Sequence, residues 1–324
     1  MNDNVKKRLV EVKDLKQHFN IKTGLLSSKR LKAVDGVSFS INEGETLGLV
    51  GESGCGKTTV GRTLLRLYKP TSGEFYFENE LVSDNNIKSM RKKMQMVFQD
   101  PYSSLNPFWN VEEILSEPLK NLKIKKGDMY ESIKLILNKV GMSEDDLIKF
   151  PYEFSGGQRQ RIGIARALLV NPEFIMCDEP IAALDVSIQA QVVNLLQDLQ
   201  KEFGLTYLFT AHDLSMVRYI SNRIGVMYLG SLVEIANSKS LFKKPLHPYT
   251  KALLSAVPSP DPSKKNINEK VKISGEVSQV FADSNACRFA PRCIYKTKIC
   301  EKECPKLREI EGGHRYDCNI AERI

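Results

Sequence analysis

Residues 9–19 and 33–41 alternate apolar and polar side chains, the period-two pattern of strands with one buried face. The pattern changes along "ETLGLVGESGCGKTTVGRTLLRLY", residues 45–68, which reads as an apolar strand, a Gly-rich turn and an amphipathic helix. "PTSGEFYF" follows as a turn and a strand. From 110 to 170 apolar positions recur at helical spacing, most clearly in "SIKLILNKVG" and "RIGIARALLV". "EFIMCDEP" is a short apolar run ending in two acids, the form of a buried parallel strand. "SIQAQVVNLLQDLQKEF" predicts a helix and "LTYLFTAHD" another strand. Strand and helix patterns thus alternate over the first 250 residues. They predict an α/β fold with a mainly parallel sheet and a helical insertion between the Gly-rich turn and the acidic strand. "VPSPDPSKKN", residues 257–266, is rich in Pro, Ser and Lys and predicts a linker, beyond which lies a Cys-rich tail.

The chain has 324 residues, 42% of them hydrophobic, enough for a sizeable core. No run of 18 apolar residues exists, which argues against a membrane span, and the charged start "MNDNVKKRLVEVKDLKQHF" has no apolar signal region. A cytosolic setting is the expectation, and stable disulfides are rare there. The net charge of +8 comes from scattered basic residues, which fits a solvated Lys-rich surface better than a nucleic-acid or membrane patch.

The chemistry begins at Gly51-Glu52-Ser53-Gly54-Cys55-Gly56-Lys57-Thr58, which fits G-x-x-x-x-G-K-[ST] between a predicted strand and helix. Backbone N–H groups in such a loop, with the following helix dipole, cradle phosphates. Lys57 is placed to reach the β- and γ-phosphates and Thr58 to ligate Mg²⁺, with Thr59 following in the same turn. Asp178 and Glu179 end an apolar strand, where α/β folds bind ligands. Asp178 would hold Mg²⁺ through water, and Glu179 would orient or deprotonate the attacking water. Ser155-Gly156-Gly157 opens a helix and so offers a second anion-binding N-terminus in the same chain.

These motifs resemble those of ATP-binding subunits of ATP-binding-cassette (ABC) transporters. Ser155-Gly156-Gly157-Gln158 is similar to the family signature, with Phe154 in place of the commoner Leu. Gln99 in "MVFQDPYSSLNP" matches the Q-loop, Ala183-Leu184-Asp185 the D-loop, and His212 in "TAHDLS" the switch histidine. "FQDPYSSLNP", "YEFSGGQRQRIGIARAL", "LHPYTKALLSAVP" and "CRFAPRC" narrow the resemblance to dipeptide/oligopeptide permease ATPases across essentially the whole chain.

The resemblance implies an ABC-type P-loop NTPase with a helical subdomain at about 100–170, a nucleotide-binding domain over 1–256, and a linker with a small Cys-rich metal-binding domain over 257–324. It implies a head-to-tail dimer with an identical or paralogous ATPase subunit. Each ATP would lie between one P-loop and the other subunit's signature. Gln99 would contact Mg²⁺ and the attacking water, His212 the γ-phosphate, and Phe19 the adenine ring, although "TGLLSSKR" after it leaves that register open. Membrane permease subunits would dock near Trp109, with an extracytoplasmic substrate-binding protein acting indirectly, at the cytoplasmic face of the membrane. The implied cargo is peptide, with nickel or another small solute as an alternative. A soluble ABC protein acting on ribosomes or nucleic acid is a further alternative, disfavoured because the chain has one P-loop.

Five of seven cysteines lie in the tail, spaced Cys287-x5-Cys293-x6-Cys300-x3-Cys304-x13-Cys318. Only Cys300 and Cys304 have the short spacing usual for structural zinc, whereas a four-iron cluster tolerates wider spacing. Disulfides and free thiols also remain open. Arg288, Arg292, Lys296 and Lys298 could offset a cluster's negative charge. The tail's apolar residues are few (Phe289, Ile294, Ile299, Leu307, Ile310, Ile320 and Ile324, with Tyr295 and Tyr316), so a metal would help it fold. The resemblance points to a [4Fe–4S] cluster on Cys287, Cys293, Cys300 and Cys318, with Cys304 spare and zinc as the alternative.

Overall fold

The computed structural model describes residues 7–22, 28–256 and 286–321. The linker expected at 257–266, and Ile324, lie outside them.

The alternating segments at the start form two long strands, β1 (Arg8–Lys22) and β2 (Ser28–Asn42). Next come β3 (Thr46–Val50), buried at every position, and α1 (Lys57–Leu64). After β4 (Ser72–Phe77) and the short β5 (Glu80–Leu81), α2 (Ile87–Lys93) leads into β6 (Met94–Val97). The helical stretch comprises α3 (Pro101–Ser104), α4 (Val111–Asn121), α5 (Lys126–Lys139) and α6 (Gly156–Leu168). Asn110 caps α4 reciprocally with Glu113, which satisfies two otherwise orphaned N–H groups. The run 174–178 becomes β7 (Phe174–Asp178), followed by α7 (Val186–Phe203), closed by Gly204 in the left-handed conformation, φ 67°. Then come β8 (Thr206–Ala211), α8 (Leu214–Ile220), β9 (Arg223–Tyr228), β10 (Ser231–Asn237), α9 (Ser238–Lys243) and α10 (Pro248–Ser255). The tail contributes β11 (Arg308–Ile310) and β12 (His314–Tyr316). No helix among the described residues is long and apolar enough to cross a membrane.

The chain divides into two compact units. One comprises the described residues of Met1–Leu9, Ile41–Thr46 and Phe77–Ala211. Its sheet runs β6–β7–β8, with both pairings parallel. β7 and β8 are buried throughout, which explains their unbroken apolar runs. The helices α3 to α7 belong to this unit.

The other unit comprises the described residues of Val10–Ser40, Leu47–Tyr76 and His212–Ile324. It holds most of a sheet in the order β2–β1–β4 and a second run, β11–β12–β10–β9–β3. In that run β3 and β9 pair in parallel, whereas β9–β10, β10–β12 and β12–β11 are antiparallel. The expectation of one mainly parallel sheet is therefore corrected to mixed sheets. The difference arises because β9 and β10 are joined by a two-residue turn, Leu229-Gly230, too short for a parallel crossover.

The tail extends this second sheet. Tyr316 pairs with Glu234 and Arg315 with Ile235. Glu234 is fully buried, and its carboxylate accepts from the Leu246 N–H (2.8 Å) and the His247 N–H (2.9 Å) and lies 2.7 Å from His314 Nε2. A buried carboxylate needs this degree of satisfaction. The tail's apolar packing is smaller than its sequence suggests. Ala290, Cys300, Tyr316, Cys318, Ile320 and Ala321 form the cluster, with Leu246 packed against it, while Ile294, Ile299, Leu307 and Ile310 are exposed.

Candidate active site

β3 delivers the chain into a loop with Gly51 at φ 152°, Gly54 at φ 77° and Gly56 at φ 107°. At two of these, space as well as backbone conformation demands glycine. A Cβ on Gly51 would stand 2.2 Å from the Met227 carbonyl oxygen, and one on Gly56 would stand 2.3 Å from that of Ala33. The loop closes around Lys57, which is 4% exposed and donates from Nζ to the Gly51 (2.9 Å) and Glu52 (3.3 Å) carbonyls. Those bonds curl the ammonium back over the loop that would hold phosphates. Thr58 and Thr59 are half-buried in the first turn of α1, and Cys55 is buried. Ser53 and Gly54 are exposed at the loop's tip.

In the other unit, the end of β7 carries Asp178, fully buried, and Glu179, half-buried. Thr210 of β8 binds both: its Oγ1 donates to Asp178 Oδ1 (3.1 Å) and accepts from the Glu179 N–H (3.0 Å). Glu179 has φ 42°, a costly conformation for a residue with a Cβ, and strain of this kind concentrates at functional sites. Its carboxylate accepts from Gln99 Nε2 at 3.0 Å, so Gln99 and Glu179, 80 residues apart in sequence, meet. His212 is exposed just after β8.

The signature serine caps α6: Ser155 Oγ accepts from the Gln158 N–H, and Gln158 Oε1 accepts from the Ser155 N–H. The helix start lies close against α7 and the turn before it. A Cβ on Gly157 would come within 2.5 Å of Ile188 Cγ2, and one on Gly156 within 3.2 Å of Leu184 Cδ2. Asp185 is exposed at the N-cap of α7.

Comparison with known proteins gives this arrangement its family. Residues 34–182 match the family model "ABC transporter", and residues 233–300 match "Oligopeptide/dipeptide transporter, C-terminal region". The oligopeptide transport ATP-binding protein OppF of Bacillus subtilis is 51% identical over 97% of this chain and 97% of its own length. AppF of the same organism, also an oligopeptide transport ATP-binding protein, is 48% identical over 96% and 97%.

The chain belongs to the oligopeptide/dipeptide branch of the ABC transporter family.

Among solved structures, the dimeric ATP-binding cassette MJ0796 in a post-hydrolysis state with ADP and Pi superposes with a TM-score of 0.63 at 28% identity, covering 71% of this chain and 99% of that one. CbiO1 of Clostridium perfringens, part of an ABC transporter complex, gives 0.64 at 27%, covering 74% and 92%. This ABC ATPase thus has the P-loop fold of the family.

Phe19 of the ABC chain is half-buried and edge-on to Tyr68, with ring centroids 5.3 Å apart. Past Gln99, Tyr102, Phe108 and Trp109 are exposed, Phe108 at 86%.

Cys287, Cys293, Cys300 and Cys318 are neighbours. Cys304 lines a small cavity with Cys287, Arg288 and Asp317. Burial pushes the Cys287 thiol up to about 12 and also raises Cys293 and Cys318; Cys300 and Cys318 belong to the tail's apolar cluster, and Cys287 packs against it. Among the described residues, no three His, Cys, Asp or Glu side chains are grouped to hold a metal ion. These observations do not support the expected iron–sulfur or zinc centre.

The arginines expected to offset a cluster's charge have other partners. Arg288 donates to Leu229 O at 2.7 Å and pairs with Asp35; Arg292 pairs with Glu52. Thr210 and Tyr249 were not singled out from the sequence, and Arg292 was read there only as a charge near the cysteines. A hydroxyl at the strand end before "AHD" was the only signal for Thr210. Tyr249 and Arg292 lie in "LHPYT" and "CRFAPRC", segments that marked the family without indicating a contact.

Proposed function

We propose that this chain binds and hydrolyses ATP to power import of oligopeptides or dipeptides through membrane permease subunits. The 51%-identical relative named for oligopeptide transport, matched over 97% of its length, carries the cargo class. The Gln99–Glu179 pair supports the hydrolytic role, since it aims a carboxylate through a residue able to sense Mg²⁺ and water. In this reading the loop Gly51–Thr59 holds the phosphates, Thr58, Gln99 and Asp178 hold Mg²⁺, and Glu179 activates water with His212 at the γ-phosphate. Phe19 offers its ring to adenine. Ser155, Gly156, Gly157 and Gln158 complete the partner's ATP site in a head-to-tail dimer, with Asp185 between the two sites. The exposed Tyr102, Phe108 and Trp109 are the proposed permease contact, which places the chain peripherally at the membrane's cytoplasmic face. Residues 1–256 are the proposed nucleotide-binding domain and 257–324 a linker with a Cys-rich region. A [4Fe–4S] cluster on Cys287, Cys293, Cys300 and Cys318 requires those thiols to converge, and anaerobic iron and sulfide analysis decides between iron, zinc and neither.

Glu179→Gln is expected to keep ATP binding and lose at least about 10²-fold in turnover, the usual range for a positioned base. Peptide uptake in cells should fall with it. Hydrolysis at the wild-type rate in this variant removes Glu179 from its role; uptake unchanged with turnover lost removes the transport reading.

A further inference from the structure

The C-terminal region grips the P-loop from two sides. The Glu52 backbone N–H donates to Tyr249 Oη at 3.0 Å, and the Glu52 carboxylate takes both ends of the Arg292 guanidinium, Nη1 to Oε2 at 2.8 Å and Nη2 to Oε1 at 3.1 Å. This is a bidentate pair, the geometry that combines strength with orientation. It is also well shielded, since the Arg292 side chain is 10% exposed and that of Glu52 27%. The partners are themselves fixed. Tyr249 is fully buried and packs on Tyr228 (4.7 Å between centroids) and Phe289 (5.5 Å), and Phe289 stands edge-on to Tyr228 at 5.2 Å. Arg288, four residues before Arg292, ties the same segment to Leu229 O and Asp35. The turn held by Arg288 also touches the P-loop, through the Gly230 N–H donating to the Cys55 carbonyl at 2.9 Å.

Two consequences follow for an anionic ligand. A loop with three glycines at positive φ has much conformational freedom to lose, and a clamp that removes it beforehand lowers the cost of ordering the loop on binding. Glu52 also places a carboxylate on the loop that receives a triphosphate. Left bare, that charge would repel the ligand; paired with Arg292 it is neutralised.

We propose that Arg292, with Tyr249, is a positioning residue for nucleotide binding: the C-terminal region sets the P-loop's shape and charge by holding Glu52. The proposal rests on the reading that this P-loop binds ATP. It gives the C-terminal region of this ABC chain a part in the ATPase site of its own subunit.

The test is ATP affinity, measured on full-length protein with a fluorescent ATP analogue and checked by KM and kcat, for Arg292→Gln, Glu52→Gln and the double variant. Arg292→Gln leaves the carboxylate unpaired and is expected to weaken binding about tenfold with kcat within about twofold. Glu52→Gln supplies the other single variant of the cycle. The double variant should bind more tightly than Arg292→Gln alone, because the unpaired charge is gone. Arg292→Lys, which keeps the charge and loses the fork, should fall between wild type and Arg292→Gln. A merely structural arginine would give a double variant at least as weak as the single one. That result, or wild-type affinity in Arg292→Gln, overturns the proposal. Should Arg292→Gln not fold, Tyr249→Phe carries the test alone: it removes the acceptor for the Glu52 N–H but keeps the ring, and wild-type affinity there overturns the proposal. Wild-type protein that binds no ATP takes down the nucleotide-binding reading itself, a distinct outcome.

Discussion

At the scale of single residues, Thr210 shows how one hydroxyl organises two acids. Its Oγ1 donates to Asp178 and accepts from the N–H of Glu179, so it fixes both a proposed Mg²⁺ ligand and the backbone of the proposed base. The strained φ of Glu179 needs such support to persist. Thr210→Val keeps the shape of the side chain and removes both bonds. Turnover is expected to fall about tenfold or more, with ATP affinity less affected, because misplacing a base affects the chemical step before it affects binding. Steady-state kinetics checks this; unchanged kcat would show that Glu179 is held by other means. Cys177, one residue before the acids, is fully buried and its thiol is raised by burial, so it is a packing residue without nucleophilic character.

At the scale of elements, α10 depends on a histidine that must stay neutral. His247 is the N-cap, and its Nδ1 accepts the Tyr249 N–H at 3.1 Å, which an imidazolium could not do. Burial lowers its pKa from 6.5 to about 4, against the opposing pull of Glu234. The unfolded chain therefore takes up a proton between pH 6.5 and 4 that the folded chain refuses. The stability this residue contributes is complete above pH 6.5 and is lost as pH falls toward 4, by about 3 kcal/mol in all. His247→Asn retains a capping oxygen and cannot titrate. Its unfolding midpoint should fall less steeply than that of wild type between pH 7 and 4.5; parallel profiles would show that His247 does not carry this dependence. Element identity was legible at β7, β8, α5, α6 and α7, where one unbroken period sets the structure. The partners of Glu52 and Glu234 were not legible, because neither a loop motif nor a strand's alternation marks which distant arginine or histidine an acid will meet.

For the whole molecule, the nucleotide motifs were readable because each is local: a glycine turn, an acid pair at a strand end, a serine at a helix start. The tail was less legible because its stability is not local. Its cysteines suggested a metal-stapled core, yet β12 joins β10, and His314 reaches the buried Glu234. A chain ending at residue 256 would leave the outer edge of β10 without β12 and a buried carboxylate short of one partner. The lost partner alone costs about 1–3 kcal/mol. The fully buried Tyr249 ring would also lose Phe289, adding apolar exposure. At this size each kcal/mol moves the unfolding midpoint by about 2–4 °C, so the truncated chain should unfold at least several degrees lower than the full chain. Its unpaired β10 edge should make it prone to aggregate as well. An appendage folded on its own would detach without these effects, and equal midpoints for the two chains would show that the tail is one. If the truncated chain stays folded, its ATP affinity should still drop as in Arg292→Gln, since the same stroke removes Arg292 from Glu52.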